Sequence, residues 1–103
     1  MLDDFIAAIR SRNRIRLTFF SKEDGQRLVR LCAPMDYGPS RRAANKADRY
    51  HFWDYESDAA QHTLSLLPHQ IVGLDVLAEG FDPSEFVTWP PKWFVARDWG
   101  AYS

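Results

Sequence analysis

The sequence predicts a mostly-β fold: a small five-stranded, strongly bent sheet or partly open barrel, with an N-terminal α-helix and an aromatic C-terminal extension. Three observations lead there. A chain of 103 residues has material for a single core. Five short runs rich in β-branched and aromatic residues are punctuated by Gly, Pro, Asp and Asn, and only the first dozen residues carry helical spacing. A sheet of so few strands protects its edges best by bending back on itself.

Taken in order, residues 2–12 read as a helix, since Leu2, Phe5, Ile6 and Ile9 fall on one face and Asp3 or Asp4 can cap the first turn. Arg10, Arg12 and Arg14 follow at the negative end of the helix dipole. Strands over 14–21 and 26–33 are joined through Glu23-Asp24-Gly25. A three-residue loop sets Phe19 opposite Val29, Leu17 opposite Leu31 and Ile15 opposite Ala33, which builds one apolar face; a two-residue loop spoils it. Gly25 then takes the left-handed position. The other face carries Arg16, Thr18 and Phe20 with Leu28, Arg30 and Cys32.

Residues 34–47 read as a loop marked by Gly38-Pro39. An aromatic strand over 49–56 follows, and 61–67 returns after residues 57–60, with loops of four or five residues giving comparable registers. Pro68-His69-Gln70 is a turn, 71–78 a fifth strand, and Asp82 caps a helical turn through Phe86 with Pro83 in its first position. Residues 1–88 form the domain and 89–103 an aromatic extension packed on it or on a partner.

Composition excludes several classes. Apolar residues at 46% and charged residues at 26% belong to a globular chain, not a disordered one. The single cysteine, Cys32, excludes an internal disulfide and a four-cysteine zinc site. No apolar run reaches 18 residues, and Asp3 and Asp4 stand where a signal peptide would be basic, so a cytoplasmic protein without membrane contact is expected. Residues 1–50 hold eleven Lys and Arg against six Asp and Glu, whereas 51–103 hold two against eight. That split suits a basic binding face, or two halves that attract within one fold.

Several of these residues stand in a family pattern. Ala8-Ile9 closes the helix, Phe19-Phe20 ends the first strand, Gly25 makes the turn, and Arg30 stands four residues before Pro34. Tyr50-His51-Phe52 falls at a Trp-Tyr-Leu triplet. A hydrophobic strand over Leu64 to Leu66, a turn ending in Ile71 and a Glu79-Gly80-Phe81 close complete the pattern. From Ile9 to Phe81 the chain resembles a WYL domain. The resemblance implies an Sm-like small barrel, similar to ligand-sensing modules that bind nucleotides or nucleic-acid fragments and regulate bacterial transcription or defence systems.

The candidate phosphate-binding residues for a nucleotide or single-stranded nucleic acid are Arg14, Arg16, Arg30, Arg41, Arg42 and Arg49, with Lys46 beside them. Phosphate binding needs several cations converging, and single strands add aromatic platforms such as Phe20 or Tyr50. Cations on loops and strand faces also serve simply as solvated surface. His51, His62 and His69 match no metal-ligand spacing. Cys32 reads as a packing residue, without a helix N-terminus to activate it. With no nucleophile elbow, phosphate-binding Gly loop or zinc-protease motif, neither catalysis nor a cofactor is expected.

The extension holds Trp89, Trp93, Phe94, Trp99 and Tyr102, broken by Pro90-Pro91. Aromatics so dense are costly to leave in water. Either the extension folds back over the sheet, or Trp89, Trp93, Phe94 and Trp99 anchor a protein partner or a second copy. The expected function is thus a non-catalytic sensing or regulatory binding module, with a protein-interaction or self-association module as the alternative.

Overall fold

A computed structural model of the chain describes residues 1–58 and 62–103. Helix α1 (Leu2–Ser11) buries Phe5, Ala8 and Ile9 and ends at Arg12, which adopts a left-handed conformation with φ 58°. Its N-cap is Met1, with no side-chain cap; Asp3 and Asp4 lie inside the first turn, where they favour the positive end of the dipole without capping it.

Five antiparallel strands follow: β1 (Asn13–Ser21), β2 (Gln26–Pro39), β3 (Asp48–Asp54), β4 (Thr63–Leu66) and β5 (Ile71–Gly80). They form one open sheet in the order β4-β3-β2-β1-β5. The mostly-β class, the five strands and the N-terminal helix are as the sequence predicts. The turn at 68–70 and the Asp82-capped turn at Pro83–Glu85 also stand where expected, and Asp82 accepts the N–H of Ser84. The last strand runs two residues further than its apolar pattern. The expected start of the fourth strand at Gln61 lies outside the described residues.

The first hairpin departs from the predicted register by one residue. Ile15 pairs with Cys32, Leu17 with Arg30 and Phe19 with Leu28, so the loop holds four residues, 22–25. The turn's own hydrogen bonds select this length. The N–H of Gly25 donates to the Ser21 carbonyl at 2.8 Å, and the Ser21 hydroxyl donates to Asp24 at 3.0 Å. Gly25 is left-handed as expected, at φ 65°. A one-residue slip exchanges faces. Val29 is therefore 57% exposed, and Arg30 and Cys32 lie on the same face as Leu17 and Ile15.

Residues Pro34 to Pro39 are strand, not loop. β2 continues past a bulge between Pro34 and Asp36, pairing Tyr37 with Tyr50 and Gly38 with Arg49. The bulge accommodates a proline that cannot donate to the ladder. From Cys32 to Asp36 every residue of β2 is buried, with no alternation. The cause is a layer on each face. Phe5 of α1 packs edge-on against Tyr50 and Phe52 on one side. On the other, Phe86 stacks on Trp53, and the segment after it covers Asp36. The C-terminal extension thus folds back as a third layer over β2 and β3.

Candidate functional site

Asp36 organises the extension. Its carboxylate accepts N–H groups from Phe94 and Val95 at 3.0 Å each, the N–H of Tyr37 at 3.0 Å, and Arg97 Nη2 at 3.2 Å. Arg97 in turn donates to the carbonyls of Val95 and Met35. Its guanidinium packs against two indoles that themselves meet edge-on, 4.2 Å from the Trp93 ring centre and 4.3 Å from that of Trp99. The Arg97 side chain is 1% exposed, and burial lowers its pKa to about 10 although Asp36 pulls the other way. It stays charged at neutral pH. Trp99 Nε1 donates to the Ile9 carbonyl at 2.8 Å and Trp93 Nε1 to that of Tyr102 at 2.8 Å, so both indoles bury their polar edge with a partner.

Pinned this way, residues 89–94 form one wall of a cleft of about 400 Å³. The opposite wall is the outer face of β3 and β4, where His51 and Ser65 are register partners. His51 Nε2 lies 2.9 Å from the Gly38 carbonyl, and Nδ1 lies 2.7 Å from the Ser65 hydroxyl. A carbonyl only accepts, so Nε2 donates to Gly38. The rim is the turn after β2, in which the Ser40 hydroxyl accepts the N–H groups of Arg42 and Ala43. That turn delivers Arg41 and Arg42 to the cleft opposite Lys92.

Charge in this cleft is one-sided. Asp36 also lines it, but Arg97 and three backbone N–H groups occupy its carboxylate. Among the described residues, Arg41, Arg42 and Lys92 form no ion pair. The Arg41 guanidinium carbon lies 4.5 Å from the Phe94 ring centre, and Arg41 donates to the Lys92 carbonyl, which links the rim to the wall. Trp89, 42% exposed, and Phe94, 49% exposed, supply open aromatic surface beside these cations.

The other predicted phosphate contacts lie elsewhere. Arg14 stacks over Tyr55 at 4.5 Å and faces Glu85 at 3.6 Å. Burial, then the Glu85 charge, pushes the Tyr55 hydroxyl pKa up. Arg30 stands 3.8 Å from Asp54 and donates to the Glu56 carbonyl. Arg16 is exposed on β1 between Leu31 and Asp75. Arg49 is half-buried on β3 opposite Gly38. Lys46 donates to the carbonyls of Ser40 and Arg41 and so holds the turn. Tyr50 and Phe52 are core, at 3% and 0% exposure. Of the extension's predicted anchors, Trp99 is buried and Trp93 half-buried within the fold, while Trp89 and Phe94 remain open.

Sequence reasoning missed Asp36, His51, Lys92 and Arg97 as partners in one place. A signal was present: Asp36 is a lone charge inside an apolar stretch, and Arg97 stands between tryptophans in the acidic half. Cys32 is fully buried, and burial, then Asp54 and Glu56, pushes its thiol pKa up, which keeps it protonated. Among the described residues no group of three metal-ligating side chains occurs, and no helix is long and apolar enough to cross a membrane. Compared with known proteins, the chain matches no family model, no curated sequence and no solved structure.

Proposed function

We propose that this chain is a non-catalytic binding module, resembling WYL domains in its residue pattern, that takes a nucleotide or the end of a single-stranded nucleic acid into the cleft between the Ser40–Arg42 turn and residues 89–94. The observation that carries this reading is the meeting of Arg41, Arg42 and Lys92 with Trp89 and Phe94 around one cleft. Cations free of carboxylates suit phosphate, and an exposed indole suits a base ring. A volume of about 400 Å³ falls in the range of small-molecule sites, which favours one nucleotide unit over a long bound strand.

A protein-interaction module is the second reading. It draws on the same exposed Trp89 and Phe94, since Trp93 and Trp99 are engaged inside the fold. The cations favour the first, because an aromatic docking site has little need of three positive charges that, among the described residues, have no carboxylate partner.

The test is a fluorescence-anisotropy titration of labelled single-stranded DNA and RNA at two salt concentrations, with adenosine monophosphate as competitor. Binding is expected to weaken as salt rises, with a log–log slope no steeper than about −2 for three phosphate contacts on a single strand. Arg41→Ala with Arg42→Ala should abolish most of it while leaving the melting curve unchanged. Absence of binding at low salt overturns the nucleotide reading and leaves the aromatic rim as a protein contact.

A further inference from the structure

β5 is an edge strand of ten residues. Its inner side pairs with β1, and among the described residues no strand bonds to its outer side. Natural edges are kept short or guarded by charge, because free N–H and C=O groups recruit another strand. Over residues 71–77 this edge carries a single charge, Asp75, and leaves Val72 47% and Val76 43% exposed.

The segment Ile71-Val72-Gly73-Leu74-Asp75-Val76-Leu77 also has the same apolar pattern in both directions about Leu74. We infer that β5 pairs antiparallel with β5 of a second copy of this chain, across a two-fold axis at Leu74. In that register Leu74 meets the partner's Leu74, and Val72 the partner's Val76. Asp75 then faces the partner's Gly73, so no like charges oppose each other. Centring the axis on Asp75 would set two carboxylates face to face, and centring it on Gly73 would set Asp75 against Ile71. Cross-strand pairs decide register in this way.

A second observation prepares room for the added strand. Beside the edge, between α1 and β5, runs a groove of about 420 Å³ whose walls include Ala7, Ala8, Ser11, Leu74 and Val76. Leu74 pairs with Leu17 and Val76 with Ile15, so both point to the α1 side of the sheet. Residues directly opposite share a face, which sends the partner's Leu74 and Val72 into this groove against the small side chains of α1.

At the other edge of the sheet, β4 has only four residues, too few to match β5 in a head-to-tail chain. The two-fold arrangement closes on itself and covers the exposed valines of both copies. The register shift between Thr18 and Phe19, where β5 bulges at Val72, confines the regular ladder to its middle. The pair is therefore small and reversible.

The experiment is sedimentation velocity of the full chain across a wide concentration range, on the wild type and two variants. The wild type should show a monomer–dimer equilibrium. Val72→Lys with Val76→Lys brings like charges together at both symmetric contacts and should weaken the dimer by roughly tenfold or more. Val72→Lys with Val76→Glu makes each contact an opposite-charge pair and should restore association. Both positions are substantially exposed, so circular dichroism should show all three chains folded. Amide exchange of the wild type gives a measurement that needs no variant: protection over 73–76 should rise with concentration. A wild type that stays monomeric overturns the inference. So does a Lys/Lys chain that dimerises like the wild type, a Lys/Glu chain that stays monomeric, or growth into larger polymers.

Discussion

Asp36 and Arg97 form a buried ion pair at 3.2 Å, although 61 residues separate them in the chain. Breaking a buried pair by removing one partner leaves an uncompensated charge, at a cost of about 3–5 kcal/mol. Asp36→Ala should lose that much stability in urea unfolding. It also strips the acceptor from the N–H groups of Phe94 and Val95. Arg97→Ala should cost a similar amount, and the double variant should cost clearly less than the sum of the two. Arg97→Lys keeps a charge but loses the planar fork packed on Trp93 and Trp99, so rescue should be partial.

Gly38 of β2 lies directly under the extension. A Cβ placed there would meet the Phe94 ring at 2.5 Å. Gly38→Ala should destabilise the fold by about 1–3 kcal/mol, as overpacking does. Phe94→Ala should relieve much of that penalty, since it removes the obstructing ring. Thermal melts of the two single variants and the double variant check this; a double variant no more stable than Gly38→Ala alone would place the strain elsewhere.

Cys32 should be silent toward thiol reagents in the folded protein. It is fully buried, and burial together with the Asp54 and Glu56 charges raises its pKa, so thiolate is scarce at any pH the fold tolerates. Labelling by an aromatic disulfide reagent should occur only on unfolding, at the same denaturant midpoint that tryptophan emission reports. Fast labelling under native conditions would mean that β2 opens locally.

Asp82 gives the acid limb a specific contributor. The N–H of Ser84 holds its carboxyl below the usual value of 3.8. A folded pKa that is depressed adds stability above the unfolded value, and this is lost as pH falls through the folded value. Asp82→Asn keeps a capping oxygen without the charge. The melting-temperature difference between wild type and Asp82→Asn should therefore be present at neutral pH and close in acid below 3.8. A difference that persists unchanged in acid would assign it to packing.

Local chemistry was legible where a residue's own neighbours determine its conformation. The helical face from Leu2 to Ile9, the left-handed Gly25 and the Asp82-Pro83 cap are all of this kind. The hairpin register was not, because a hydrogen bond between Ser21 and Asp24 outweighs the apolar pairing that favours a shorter loop. Pro34 to Pro39 looked like loop because two prolines and a glycine disfavour strand. The extension, seated on Asp36, fills the face that those residues leave. The candidate cleft was half legible: Arg41 and Arg42 stood out, but their meeting with Lys92 and His51 is a product of tertiary folding.

The hydrogen bond from Trp99 to the Ile9 carbonyl ties the last part of the chain to the first helix. Phe81 and Phe86 pack against that same indole. During synthesis, residues up to β5 would emerge with Trp53 and the outer side of β2 still bare. Contacts of such long separation form late and slowly. The sheet can therefore be paired before it is covered, and the contacts of Trp99 with Ile9, Phe81 and Phe86 are what close it.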